Sequence, residues 1–145
     1  MIPVTYPNVE FKLKEEGTKK FIFDELRKVW LVITPEEWVR QHFIFYLLHV
    51  KKYPAALIAV EKRLKLGELT KRFDILIYNA NHQPWMMVEC KASSVALKPA
   101  VLEQVLRYNI SIPVPYLVIT NGYYCKAFQK IDGRLHELED LPNFC

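Results

Sequence analysis

The chain has 145 residues and a formal net charge of +4, with 51% hydrophobic and 13% aromatic residues. That balance excludes a disordered or fibrous chain, and the length fits one domain, 1–145, large enough to bury a core unaided. No apolar run reaches the ~18 residues of a membrane-spanning helix and no leader-like segment opens the chain, so a membrane is excluded and a cytoplasmic location is expected.

Residues 1–18 are polar and lysine-rich, interrupted by Pro3 and Pro7, and read as an N-terminal arm along the surface. Residues 19–33 alternate loosely (Phe21, Phe23, then Val29, Leu31, Ile33), which predicts a short hairpin around 24–27. Thr34-Pro35-Glu36-Glu37 is a helix start: Thr34 as N-cap, Pro35 in the first turn, Glu37 where a capping box places its acid. The helix is predicted over 35–51, largely buried because its apolar residues cover more than one stripe. Three strands are predicted next, at 56–66, 72–78 and 85–92. The turn cluster Asn79-Ala80-Asn81-His82-Gln83-Pro84 joins the last two into a hairpin. A helix is predicted over 98–109, a strand over 116–120, a tight turn at Asn121-Gly122, and a returning strand over 123–129. The order gives an α/β fold, a mixed β-sheet flanked by helices.

The chemistry concentrates at Asp74, Glu89 and Lys91. Alternation along a strand puts Glu89 and Lys91 on one face and Cys90 on the other. An antiparallel hairpin can set Asp74 across from them. Two adjacent carboxylates repel unless a cation joins them, and Mg²⁺, with Mn²⁺ as substitute, is a hard ion suited to one or two carboxylates plus waters. Such an ion can activate a water against a phosphodiester, with Lys91 positioning that water and offsetting developing charge. The Glu-x-Lys triplet alone is weak, since Glu10-Phe11-Lys12 repeats it in a polar stretch. On the following helix Gln104 and Tyr108 lie four apart beside Arg107, and all three can contact phosphate or a base.

The order acid, turn, Glu-x-Lys, then Gln-x-x-x-Tyr on a helix resembles the PD-(D/E)XK nuclease superfamily. More closely, the chain resembles the N-terminal nuclease domain of type I restriction enzyme R subunits. The resemblance rests on Thr34-Pro35-Glu36-Glu37-Trp38-Val39-Arg40-Gln41, Arg72-Phe73-Asp74-Ile75-Leu76-Ile77, Val88-Glu89-Cys90-Lys91-Ala92 and Gln104-Val105-Leu106-Arg107-Tyr108-Asn109. It implies a restriction-endonuclease-like fold and magnesium-dependent DNA hydrolysis. It implies that Asp74 and Glu89 bind the metal, that Lys91 serves the attacking water, and that Gln104 and Tyr108 line the site. Glu37 matches an acid on the first helix that reaches the metal through water. Phe73 stands in place of the motif's proline and removes no ligand. The R subunit carries a motor after this domain. No Gly-x-x-x-x-Gly-Lys-Ser/Thr loop occurs in these 145 residues, so ATP-driven cleavage is not expected of them, and a separate motor or specificity protein is an expected partner beside DNA.

A non-catalytic nucleic-acid-binding or assembly module of the same fold is the alternative, and a plain structural domain with a charged, water-facing strand is a third. Lys71 and Arg72, beside the basic run at 62–65, can contact phosphate or form a solvated strand edge. His42, His49, His82 and His136 lack metal spacing. Cys90, Cys125 and Cys145 lie too far apart for a CxxC site and read as free, buried thiols. A homodimer pairing two sites is compatible with cutting both strands.

Overall fold

The computed structural model describes residues 1–6 and 8–144. Its elements in chain order are β1 (Ile2–Pro3), β2 (Leu13–Glu16), β3 (Lys19–Asp24), β4 (Val29–Val32), α1 (Pro35–His49), β5 (Ile58–Leu66), β6 (Leu69–Tyr78), β7 (Pro84–Cys90), α2 (Pro99–Asn109), β8 (Tyr116–Thr120), β9 (Tyr124–Ile131) and β10 (Arg134–Leu138). The fold is α/β, as predicted. A seven-stranded mixed sheet runs β1-β9-β8-β7-β6-β5, with β10 also on β9, and β2-β3-β4 form a separate antiparallel sheet.

β7 and β8 are the parallel pair, and a parallel pair needs a crossover, which α2 supplies. Each helix covers one face of the large sheet. Val39, Phe43, Ile44 and Leu47 of α1 pack with Ile75, Ile77, Met86, Val88 and Val118. Leu102 and Val105 of α2 pack with Phe73, Leu76, Met87, Leu117 and Ile119 on the opposite face. Burial on both faces explains why β7 and β8 read as continuous apolar runs.

The α1 start follows the predicted chemistry only in part. Thr34 Oγ1 accepts from the Glu37 N–H at 3.0 Å, but the Glu37 side chain does not return to the cap. It turns inward to Arg40 and Gln41. α1 ends at His49, where Val50 takes the C-cap ahead of Lys51, and a single 3-10 turn, Ala55–Leu57, occupies the first part of the strand expected from residue 56.

The surface arm expected over 1–18 is tied down at both ends. β1 pairs with β9, Ile2 and Val4 enter the core, and β2 pairs with β3. Two apolar residues around a proline are too short a signal for a strand, and the pairing partner is remote in sequence. β10 was likewise not expected: Arg134–Leu138 is polar and only partly covered, an edge strand without clean alternation. Cys90 and Cys125 are free and buried, as expected. The expectations for Cys145 and for Pro7 fall outside the described residues.

Candidate active site

The site forms where the regular alternation of two strands reverses. On β5, Ile58 and Val60 face α1, whereas Leu64 and Leu66 face α2. On β6, Ile75 and Ile77 face α1, whereas Phe73 faces α2. The reversal falls at Glu61 and Asp74, which the register sets opposite each other between the pairs Val60↔Ile75 and Lys62↔Phe73. Glu61 has φ +53°, a left-handed conformation that costs a non-glycine residue on the order of 1 kcal/mol and tends to collect at functional positions.

The ladder between β6 and β7 also stops here, its last pair being Ile75↔Val88. The next register step sets Asp74 against Glu89. The Cys90 N–H, which a continuing ladder would pair with backbone, instead donates to Asp74 Oδ2 at 2.8 Å. Three carboxylates therefore stand in a row across β5, β6 and β7: Glu61, Asp74, Glu89. Cys90 and Glu89 lie on opposite faces, as predicted: Cys90 enters the α1-side core, and Glu89 meets Lys71, whose ammonium lies by the Tyr108 ring of α2.

Each acid has a cationic neighbour. Lys71 Nζ lies 2.8 Å from Glu89 Oε1. The Lys71 side chain is only 8% exposed and that of Glu89 19%. The ammonium also sits 4.8 Å from the centre of the Tyr108 ring and 5.7 Å from that of Phe73. Without the reversal at Asp74, Lys71 would share the α1 face with Ile75 and could not meet Glu89. Burial raises the pKa of Glu89, the Asp74 charge adds to that, and Lys71 and Lys91 oppose it.

On the α1 side Arg40 is the hub. It bonds Glu37 through both of that side chain's oxygens, reaches Glu61 Oε1 at 2.6 Å, and lies 3.7 Å from Asp74 Oδ1. Burial disfavours its charge, yet Glu37, Glu61 and Asp74 together outweigh that and push its pKa upward. Gln41 Nε2 donates to Glu37 and to Asp24, and Asp24 in turn accepts from Arg27. Arg72 closes the chain on Glu61 at 2.5 Å.

The predicted residues thus divide into groups. Asp74 and Glu89 stand on neighbouring strands, and the charges of Asp74 and Lys91 are both close enough to act on Glu89. Lys71, expected at a phosphate-binding surface, is buried on Glu89, while Arg72 remains exposed. Glu37 is held by Arg40 and Gln41. Among the described residues no three carboxylate, histidine or cysteine groups converge as a ready-made metal cage. Gln104, Arg107 and Tyr108 line one open hollow on α2 with Ala100 and Glu103, and Arg107 pairs with Glu103 at 2.5 Å. Tyr108 is 63% exposed. Arg40 received no role from sequence reasoning. Its signal was the Glu37-x-x-Arg40-Gln41 spacing, which puts an acid, its counter-charge and an amide on adjoining turns.

The donor set fits a hard divalent ion, since Asp74 and Glu89 offer carboxylate oxygens from neighbouring strands and such ions take one or two of these with waters. No helix among the described residues is long and apolar enough to cross a membrane. No curated protein matches the chain. The family model described as the type I restriction enzyme R protein N terminus (HSDR_N) matches residues 35–142, which take in α1, the three acidic strands and α2, and the chain belongs to that family.

Proposed function

We propose that the chain, as one domain, is a divalent-metal-dependent nuclease that hydrolyses DNA phosphodiester bonds. The observation that supports this best is that the β6–β7 ladder ends on Ile75↔Val88, which leaves Asp74 and Glu89 as the next residues on neighbouring strands at the open end, with Lys91 following directly. Asp74 and Glu89 would hold Mg²⁺ or Mn²⁺, which supplies positive charge to the phosphate and lowers the pKa of a water. Lys91 orients the attacking water and offsets charge on the phosphate oxygens as the in-line displacement proceeds. The Asp74 carboxylate is oriented by the Cys90 N–H and by Arg40. Glu37 acts at one remove, through Arg40. Gln104, Arg107 and Tyr108 contact the DNA backbone or a base, and Arg72 a neighbouring phosphate.

A second reading is an assembly module that binds DNA and a separate motor or specificity subunit without cutting. It is favoured by the cations already on both acids, Arg40 near Asp74 and Lys71 on Glu89. One experiment separates the two. Supercoiled plasmid is incubated with the protein and Mg²⁺ or Mn²⁺, beside Lys91→Ala and Glu89→Gln. The nuclease reading expects nicking by the parent and a loss of 100-fold or more in either variant, on the order of what a positioned catalytic group contributes. Equal cleavage by Lys91→Ala, or none by the parent with intact DNA binding, decides for the module.

A further inference from the structure

The small sheet lies ahead of the matched residues 35–142 and joins the site above only at its inward face, where Asp24 accepts from Gln41. Its two faces differ. Ile22 and Asp24 turn inward and are buried. The register places Lys14, Phe21 and Val32 together on the other face, and Phe23 with Trp30 beside them. That outward face carries three aromatic rings that contribute nothing to the two core clusters. The Phe23 and Trp30 rings meet edge to face at 5.1 Å. Lys14 Nζ lies 4.6 Å from the centre of the Trp30 ring and 5.5 Å from that of Phe21, and Lys12 Nζ lies 5.3 Å from that of Phe23. Trp30 is 38% exposed and Phe21 and Phe23 are half-buried.

A water-facing sheet has no packing need for three rings, and large exposed apolar side chains grouped on one face mark a contact surface. The chemistry of this one is specific. Lys12 forms no ion pair among the described residues, and Lys14 has only the exposed Glu16, at 3.2 Å. Ammonium groups resting over rings are replaceable: each can move to a phosphate while the ring it uncovers takes a base. Rings on strands interleaved with lysines are the arrangement that single-stranded nucleic acid uses, with bases stacked and phosphates paired. A duplex hides its base faces and could use only the lysines.

We infer that the outward face of β2, β3 and β4 binds single-stranded DNA, with Phe21, Phe23 and Trp30 stacking bases and Lys12 and Lys14 pairing phosphates. The site uses none of Asp74, Glu89 or Lys91, so it holds a strand whether or not this chain cuts.

The test is fluorescence anisotropy with a labelled twelve-nucleotide oligothymidine, in chelator so that no cleavage intervenes, together with the protein's own tryptophan emission. The parent is expected to bind with quenching of that emission. Phe23→Ala with Trp30→Ala is expected to weaken binding roughly ten-fold or more. Lys12→Gln with Lys14→Gln, both on the surface, is expected to lower the slope of log affinity against log salt by about 1.4, at ~0.7 per phosphate contact. No binding by the parent, unchanged affinity in the ring variant, or equal affinity for a duplex of the same length overturns the assignment. If the ring variant unfolds, an unchanged salt slope in the lysine variant overturns it alone. Loss of plasmid nicking in Glu89→Gln with oligonucleotide binding retained bears on the active site and leaves this surface standing.

Discussion

Lys71 and Glu89 form an ion pair across β6 and β7 that is nearly closed to water, with Nζ 2.8 Å from Oε1. The pair exists because β6 changes face at Asp74. Breaking one half of such a pair leaves the other charge without compensation. Lys71→Met is therefore expected to destabilise the fold by about 2 kcal/mol, below the figure for a fully buried pair because Glu89 keeps some exposure. Removing a positive charge beside Glu89 also has the opposite effect on a bound divalent ion. The variant is expected to take up Mn²⁺ several-fold more tightly than the parent in a calorimetric titration. Equal or weaker uptake by a folded variant would rule out competition between the lysine and the metal.

Arg40 carries a heavier structural role, because it faces Glu37, Glu61 and Asp74 at once. Replacing it with Met leaves three carboxylates in mutual repulsion, with Glu37 buried. A loss of about 3 kcal/mol is expected, read from urea denaturation. Arg40→Lys is expected to recover less than half of this, since an ammonium cannot hold both Glu37 oxygens and Glu61 in one plane. Millimolar Mg²⁺ is expected to raise the melting temperature of Arg40→Met more than that of the parent. Equal shifts would mean that no ion reaches Asp74.

Much of the fold was legible in the sequence because its signals are local. Thr34-Pro35 set the start of α1, the 79–84 cluster set the β6–β7 hairpin, and Asn121-Gly122 set the turn into β9. Asn121 Oδ1 accepts from the N–H groups of Tyr123 and Tyr124 there, and Gly122 takes φ +92°. Within the site, alternation sufficed to separate Glu89 from Cys90, while Lys91 falls just past the end of β7. What could not be read was the reversal at Glu61 and Asp74. A left-handed glutamate is not announced by its neighbours, and period-two reasoning carried straight through it puts Lys71 on the wrong side of the sheet. Arg40 was hidden for another reason: its partners Glu61 and Asp74 are 21 and 34 positions away, and only the packing of α1 over the sheet brings them near.

Asp24 ties the small sheet to α1 and governs the response to acid. Its side chain is 1% exposed. Burial would raise its pKa, but the Arg27 N–H, Gln41 and the Arg27 guanidinium together outweigh burial and lower it. A carboxylate whose folded pKa lies below its unfolded value binds fewer protons when folded. Its stabilisation is present above the ordinary aspartate range and is lost as pH falls through the folded value. Denaturation midpoints measured from pH 7 down to 3 should therefore fall less steeply for Asp24→Asn than for the parent. The variant should be less stable at pH 7 by about 2 kcal/mol, since the Arg27 guanidinium loses its counter-charge. Parallel curves would remove Asp24 from the acid response, leaving Glu61, whose pKa is lowered by Arg40, Arg72 and Arg27 against the effect of burial.

Tyr108 is the residue whose two roles can be separated most directly. Its ring lies 4.8 Å from Lys71 Nζ, yet 63% of the residue faces water. The ring over the ammonium is expected to stabilise the Lys71–Glu89 pair by about 1 kcal/mol, the range for a partly desolvated cation and aromatic ring. The exposed remainder lies in the α2 hollow with Gln104 and Arg107, where DNA would pass. Tyr108→Phe keeps the ring and loses the hydroxyl. It is expected to retain stability and lose only the share of duplex affinity that comes from a hydroxyl bond to phosphate, a few-fold. Tyr108→Ala is expected to lose about 1 kcal/mol of stability and roughly ten-fold in affinity for a labelled duplex. Full duplex affinity in Tyr108→Ala at a lowered melting temperature would assign the ring to Lys71 alone and move the DNA path off this face of α2.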